Sequence, residues 1–506
     1  MNKELRTVIL LNYIYIAITN LSSVIITPFL TRGLSPVEYG IYGLAYSTFC
    51  YFLVMDFGIG AMVVRNVSEY RLKKEDKEQE NFLFAALFMF IIFGALATLF
   101  CSGINAGAHF IFQKTFDLQA VGMFRVMFGI LIVNLFFLFL QNYFFCIISG
   151  YEKYVFTKVV FIIKLLIRGI SIPLFMLSKG SAWWIFALDL AMTVLNVIVF
   201  AIYCFAVLKI KVKFHFFDKV LTKNLYVRTA MIYLSMILEN VYWNATSLVI
   251  SATVGPEETG VFFIGLTFCQ IFVQLSSTIT GYFLPGVTKL VVEKASRKQF
   301  TDQMVSVARP IAILLGLVLL GFITVGRDFL SIWVGPRFTP AYIIAALVLS
   351  ALLFVQIEVY GETFLQATNK YTARFIICIF NTLGCVAINF FVISKWGFTY
   401  SWVGYVATIV IFRLGLMNFN YHKAGLNIPD FLRRMLPRLL LLLAVTGGEC
   451  YLISLIKTAN VFWFLLKAVL VVLVYAVNLW LLYLSKEEKA AVIGKVMGVL
   501  KRNAKA

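Results

Sequence analysis

The chain alternates long apolar stretches with short polar ones, and the apolar stretches recur at the length a bilayer sets. A spanning helix needs roughly 20 mainly apolar residues. Runs of that kind lie at about 8–31, 38–65, 82–104, 119–148, 155–178, 183–208, 226–252, 259–288, 305–325, 341–366, 374–394, 400–420, 436–457 and 460–484, roughly fourteen predicted segments. No connecting loop exceeds roughly 20 residues. The predicted fold class is therefore all-α integral membrane, about fourteen transmembrane helices without a soluble domain. The apolar run that follows Met1–Thr7 reaches Leu30, a spanning length, and is expected to stay as segment 1.

Polar residues then orient the predicted helices. With the N-terminus placed inside, the inner loops and helix ends carry roughly 32 of the 44 Lys and Arg, and the outer loops about seven. That asymmetry predicts both termini to be cytoplasmic. It also accounts for most of the net charge of +20: basic residues beside anionic headgroups set topology, and no nucleic-acid partner is expected.

Internal similarity divides the chain. Leu34–Ser47 reads LSPVEYGIYGLAYS and Val254–Thr267 reads VGPEETGVFFIGLT, so Pro36, Glu38 and Gly40 match Pro256, Glu258 and Gly260 at one offset. Ser149–Tyr154 (SGYEKY) is answered by Ala367–Tyr371 (ATNKY). Both echoes shift by six segments, an even number, which predicts a parallel pseudo-repeat of two six-helix lobes. The expected domains are 1–224, 225–434, and 435–506 with segments 13–14 and a basic tail.

Composition narrows the chemistry. Hydrophobic residues make up 61% and charged residues 13%, with a mean hydropathy of +0.91. The eight cysteines are scattered singly in apolar runs and read as packing thiols. The three histidines, His109, His215 and His422, are far apart in sequence, and no phosphate-binding glycine loop follows a strand. Neither a metal, a cofactor nor an enzymatic activity is expected. Six tryptophans (Trp183, Trp184, Trp333, Trp396, Trp402 and Trp463) fall near predicted outer interfaces, where belt anchoring explains them.

Thr31–Arg71 carries an Arg closing segment 1 (Arg32), a Pro36–Tyr39–Gly40 turn, and then Asp56, Gly58, Gly60 and Arg65. This pattern resembles the start of polysaccharide flippases, the Wzx-like branch of the multidrug/oligosaccharidyl-lipid/polysaccharide exporter superfamily, although Ser35 stands where a glycine is usual. The resemblance implies a V-shaped pair of helical lobes in the bacterial plasma membrane, around a cavity that takes undecaprenyl-diphosphate-linked oligosaccharide. It leaves open peptidoglycan and teichoic-acid precursors, which share the diphosphate. Other polysaccharide-assembly membrane proteins are the expected partners besides membrane lipids. A cationic-drug exporter would prefer acidic cavity residues, and a membrane polymerase or ligase would need a long catalytic loop.

Ionisable groups inside a membrane cost at least about 2.5–3.5 kcal/mol and mark functional positions. Lys164 and Arg168 stand at i and i+4 on one face of segment 5. With Arg32, Arg125 and, in segment 12, Arg413, they are the candidate cations for a diphosphate, because arginine offers a bidentate fork and lysine a point charge. The competing reading makes the cations of the first lobe interhelical partners of Asp56 or Asp189. Glu239, Asn244 and Asn381, with Asp56, are oxygen-bearing candidates for Na+ or H+ coupling, or else a hydrogen-bonded structural cluster. Glu358, Glu362 and Glu449 complete the acids of the later segments. Arg65 and Glu69 are expected to form a surface i,i+4 pair, and Lys467 to snorkel to the headgroups.

Overall fold

In a computed structural model, the described residues are 3–52, 59–73, 75–178, 180–215, 220–280, 287, 290–291, 293, 295–368, 370–456, 458, 460–484 and 489. They form helices α1 (Lys3–Gly33), α2 (Pro36–Cys50), α3 (Ile59–Lys73), α4 (Asp76–Phe112), α5 (Leu118–Gly150), α6 (Tyr154–Leu177), α7 (Trp183–Ile202), α8 (Val220–Thr253) and α9 (Pro256–Thr280). These are followed by α10 (Arg297–Trp333), α11 (Ala341–Ile357), α12 (Tyr360–Ala367), α13 (Thr372–Trp396), α14 (Trp402–Thr408), α15 (Met417–Ala424), α16 (Ile428–Ser454) and α17 (Val461–Asn478). Among the described residues there is no strand, as lipid requires of a chain that does not close into a barrel.

Among the described residues each predicted segment contains helix, and segments 2, 10 and 12 are each divided between two helices. Segment 2 is α2 and α3, with residues 53–58 outside the described part. Segment 10 is broken into α11 and α12, bent by 43° at Glu358–Val359. Segment 12 runs from α14 through a π-helical stretch, Ile409–Leu416, into α15. Ten helices among the described residues are long and apolar enough to cross a membrane, and eleven when the bent pair is one span. Segments 3 and 9 were predicted too short: α4 and α10 each hold 37 residues. At 1.5 Å per residue that is about 55 Å, so polar turns continue each helix well past the apolar middle that hydropathy detects.

Local sequence sets the helix starts. Ser35 accepts a hydrogen bond from the Glu38 amide and is followed by Pro36 at the first turn of α2. Asp117 caps α5 through the Ala120 amide at 2.7 Å, and Ser296 with Gln299 forms a capping box on α10. Gly255, at φ +151°, takes the backbone turn between α8 and α9 that a side chain would strain.

The chain packs as two compact units: residues 1–266 with 378–404, and residues 267–377 with 405–506. In the first, α5 is the central helix, against α4, α7, α2 and α3. Its buried Gln141 accepts from Asn196 of α7, and Tyr143 donates to the Leu83 carbonyl of α4. Helices α1 and α6 run side by side in the same direction, since Tyr15 meets Phe161, Ser22 meets Gly169 and Gly33 meets Met176. The two echoed motifs also lie against each other. A Cβ on Gly40 would stand 1.6 Å from the Pro256 carbonyl oxygen, and one on Gly260 would stand 3.0 Å from Tyr39 and 3.3 Å from the Gly40 backbone. The repeated glycines thus mark where α2 and α9 start in contact.

In the second unit α10 is central, packed on α16, α11 and α17. Lys467 of α17 is 3% exposed, with Nζ 2.9 Å from Asp328 of α10, so it does not snorkel. The expected surface pair is corrected too: Glu69 joins Lys73 at 2.8 Å, one turn beyond. The hydrogen bond from the exposed Lys73 holds the Glu69 carboxyl below its usual range. All eight cysteines are free, and all but Cys50 are buried.

The outward faces are apolar. Leu99, Phe110, Leu174 and Leu452 are each at least 60% exposed, which in water would be an untenable surface and in lipid is the expected one. The Lys467–Asp328 pair carries a stability prediction. Asp328→Asn should cost about 3 kcal/mol or more, because it strands a charged Lys467 among apolar side chains. Lys467→Met should cost less, since Asp328 is 31% exposed and keeps the Thr458 hydroxyl as a partner. Thermal unfolding of the two purified variants decides it, and equal losses would contradict the burial argument.

Candidate functional site

Helix α6 projects Lys164 and Arg168 from successive turns, and α7 projects Asp189 and Thr193 from successive turns opposite them. The helices run antiparallel, so Lys164 donates to the Thr193 hydroxyl at 3.1 Å, and Arg168 Nε lies 2.9 Å from Asp189 Oδ1. The Thr193 hydroxyl is itself anchored on the Asp189 carbonyl at 2.8 Å. The ion pair is close, but its N–H is not aligned for a hydrogen bond. Tyr42 and Tyr46 of α2 stand near enough to Arg168 to interact with it electrostatically.

Two cations here face one carboxylate. Asp189 neutralises one charge and leaves the cluster with an excess of one positive charge between helices that are otherwise apolar. The Arg168 side chain is 27% accessible, with its Nε buried against Asp189. An excess cation in low dielectric draws an anion far more strongly than it would in water.

The other proposed cations stand elsewhere. Arg32 is exposed in the last turn of α1, at the favourable end of that helix dipole. The α1–α6 register puts it level with Met176, eight residues and about 12 Å past Arg168. Arg125 lies on α5 facing α4 and donates to the Ala106 carbonyl at 2.9 Å. Arg413 belongs to the second unit, in the π-helical stretch, within electrostatic reach of Glu362.

Of the ion-coupling candidates, Asp56 lies outside the described residues. Helices α8 and α13 run parallel in register: Cys378 meets Ser235, Thr382 meets Leu238 and Asn389 meets Thr246. That register sets Asn381 level with Leu238 and next to the Glu239 turn. Glu239 accepts from the Trp243 indole at 3.2 Å, whereas Asn244 is spent on its own helix, donating to the Asn240 carbonyl. Asn381 is 1% exposed, and neither polar atom of its side chain has a partner. A buried amide left unpaired costs about 1–3 kcal/mol, so the position is one where a ligand would gain.

The second unit holds a cluster that the sequence-based choice of sites left out. Glu358 caps α11 at the helix break, is 4% exposed, and accepts from Asn418 of α15 at 2.9 Å. Four residues on, Glu362 pairs with Arg374 at 2.6 Å, and Arg374 stacks 4.8 Å over Tyr371. Glu362 thus has two cations in reach, Arg374 and Arg413, and Glu358 is a second acid of the same cluster. Acids at 358 and 362, four apart in an apolar run, were the available signal. The break that turns them inward has no proline to announce it.

The comparisons agree with this architecture. The family model described as "Polysaccharide biosynthesis protein" matches residues 6–291. Among solved structures, an inward-facing multidrug resistance MATE family transporter of the MOP superfamily is similar at a TM-score of 0.67 and 13% identity, over 80% of this chain and 94% of that one. The lipid II flippase MurJ, in an inward closed conformation, is similar at 0.65 and 17%, over 93% and 99%. A MOP superfamily transporter from Pyrococcus furiosus, with a binding pocket of reverse polarity, gives 0.56 and 13%, over 83% and 95%. At these identities the likeness shows a shared fold. No curated protein matches the chain. Because the family model covers more than half of the sequence, and the described helices are long and apolar enough to cross a membrane many times, the chain belongs to the polysaccharide biosynthesis protein family and is a multi-pass membrane protein.

Proposed function

We propose that this protein carries undecaprenyl-diphosphate-linked oligosaccharide across the bacterial inner membrane by alternating access, with Lys164 and Arg168 receiving the diphosphate. The observation that supports this most is the pair of cations facing the single carboxylate of Asp189 inside apolar helices. A diphosphate brings the negative charge that this cluster lacks, and a planar guanidinium beside an ammonium matches its two phosphoryl groups. Arg32 would meet the headgroup further along α1, and Arg374 with Arg413 would offer a second cationic station. Fourteen crossings, cytoplasmic termini, and a repeat dividing at residue 224 with an appended pair from residue 435 belong to the same proposal.

Outward movement of an anionic headgroup is favoured by about 2.3 kcal/mol per charge per 100 mV when the interior is negative. Resetting the carrier would then fall to a small cation, Na+ or H+, with the unpaired Asn381 beside Glu239 as one station and the buried Glu358 carboxyl as another. Depletion of the protein is expected to make a lipid-linked oligosaccharide accumulate on the cytoplasmic leaflet, read by labelling of glycan accessible from each side. If peptidoglycan or teichoic-acid precursor accumulates instead, the cargo is that precursor. If no lipid-linked glycan accumulates and drug cations are retained, the flippase reading fails.

A further inference from the structure

Arg125 has no part in the cluster around Asp189. It opens instead on a groove between α4 and α5, lined by Ser102, Asn105, Ala106, Arg125, Gly129 and Val133. Small residues keep this groove open. A Cβ on Gly129 would meet only the Asn105 amide nitrogen, at 3.7 Å. At roughly 570 Å³ the space is of the size of a small-molecule site.

The polar groups in it are held in fixed directions. Arg125 donates through Nη2 to the Ala106 carbonyl, which anchors one edge of the guanidinium and leaves other donors of the exposed side chain toward the groove. Asn105 donates from Nδ2 to the Arg125 carbonyl at 3.3 Å, which ties α4 to α5 beside the guanidinium. The groove thus offers a held cation beside a floor of small residues. Around it, Leu99, Phe110, Val126 and Val133 are 71%, 75%, 54% and 47% exposed, so the site opens on the lipid-facing surface.

We propose that this groove binds the headgroup of an anionic glycerophospholipid of the phosphatidylglycerol type. Its phosphodiester would lie on Arg125, and its acyl chains would cover the exposed apolar faces of α4 and α5. A single guanidinium matches a single phosphodiester charge, whereas a diphosphate would call for a second cation, and the lining has no other. The cationic groups of phosphatidylethanolamine and phosphatidylcholine would sit against the Arg125 charge. The site is separate from the proposed cargo cluster and does not depend on it.

The test is native mass spectrometry of the full chain titrated with phosphatidylglycerol, phosphatidylcholine and inorganic phosphate. Wild type is expected to retain phosphatidylglycerol over phosphatidylcholine, with inorganic phosphate unable to displace it. Arg125→Gln should weaken that retention about tenfold or more, the loss of a charge-assisted contact. Gly129→Leu, which keeps the arginine but fills the groove, should exclude the lipid even if Arg125→Gln fails to fold. Equal retention of the two lipids, unchanged binding in Gly129→Leu, or displacement by free phosphate would overturn the proposal. So would displacement by a polyprenyl diphosphate at equal concentration, which would return Arg125 to the cargo path.

Discussion

Arg168→Ala is expected to lower export of lipid-linked glycan by about 10- to 100-fold in properly inserted protein, the range that one charge-assisted contact commands. Lys164→Ala should act in the same direction. The two readings of these cations separate on a double variant. If Arg168 only neutralises Asp189, then replacing both members with apolar residues, Arg168→Met with Asp189→Leu, removes the unpaired charge and restores export. If the guanidinium meets the headgroup, the double variant inserts and stays inactive. Asp189→Asn alone raises the positive excess and should keep binding while slowing release. Normal export by both Arg168→Ala and Lys164→Ala would end the proposal of a cationic headgroup site, whatever the protein transports.

Gly40→Ala should be the most damaging single-methyl change in the first unit. The added carbon would stand 1.6 Å from the Pro256 carbonyl oxygen, a backbone atom that no side-chain rotation can move away. Either α2 or α9 must shift at its first turn, and overpacking of this severity costs about 3 kcal/mol or more. The control is Gly107→Ala, whose methyl would meet nothing within 4 Å. That change should leave stability within about 0.5 kcal/mol, or improve it slightly through helix propensity. Thermal unfolding of the two purified variants gives the comparison, and indistinguishable midpoints would mean that α2 and α9 do not meet as described.

The glycine pair also shows what a repeat can reveal. Pro36–Gly40 and Pro256–Gly260 were recognisable because each must start a helix at a crowded place, and proline followed by glycine is a local solution to that need. The sequence showed two similar turns. It did not show that they are crowded by each other, since contact between residues 220 apart leaves no mark on either turn alone.

The candidate site divides in the same way. Lys164 and Arg168 were legible because their spacing of four is a property of one helix. Their partners were legible only as names: Asp189 was an available counter-charge, and the antiparallel placement of α6 and α7 made it the partner of Arg168 and left Thr193 for Lys164. Arg125 stood beside Arg168 among the candidate cations, as an arginine in an apolar run. It differs because α5 turns it toward the Ala106 carbonyl of α4. Lys467 was misjudged for a related reason. Closeness to a helix end favours snorkelling, but Asp328 comes from another helix and makes burial the lower-energy choice.

What this sequence determined by itself was everything that depends on the local chain: helical segments of spanning length, caps, the repeated turns and the cations four apart. A lipid solvent forces each backbone to satisfy its own hydrogen bonds, so hydropathy alone predicts the helices. Tertiary structure decided which buried charges are paired, that α11 and α12 break at Glu358, that Asn381 and Asn105 keep polar atoms without partners, and which arginine faces lipid. Those are properties of neighbouring helices, whose rotation and register are fixed by packing and not by any pattern within one of them.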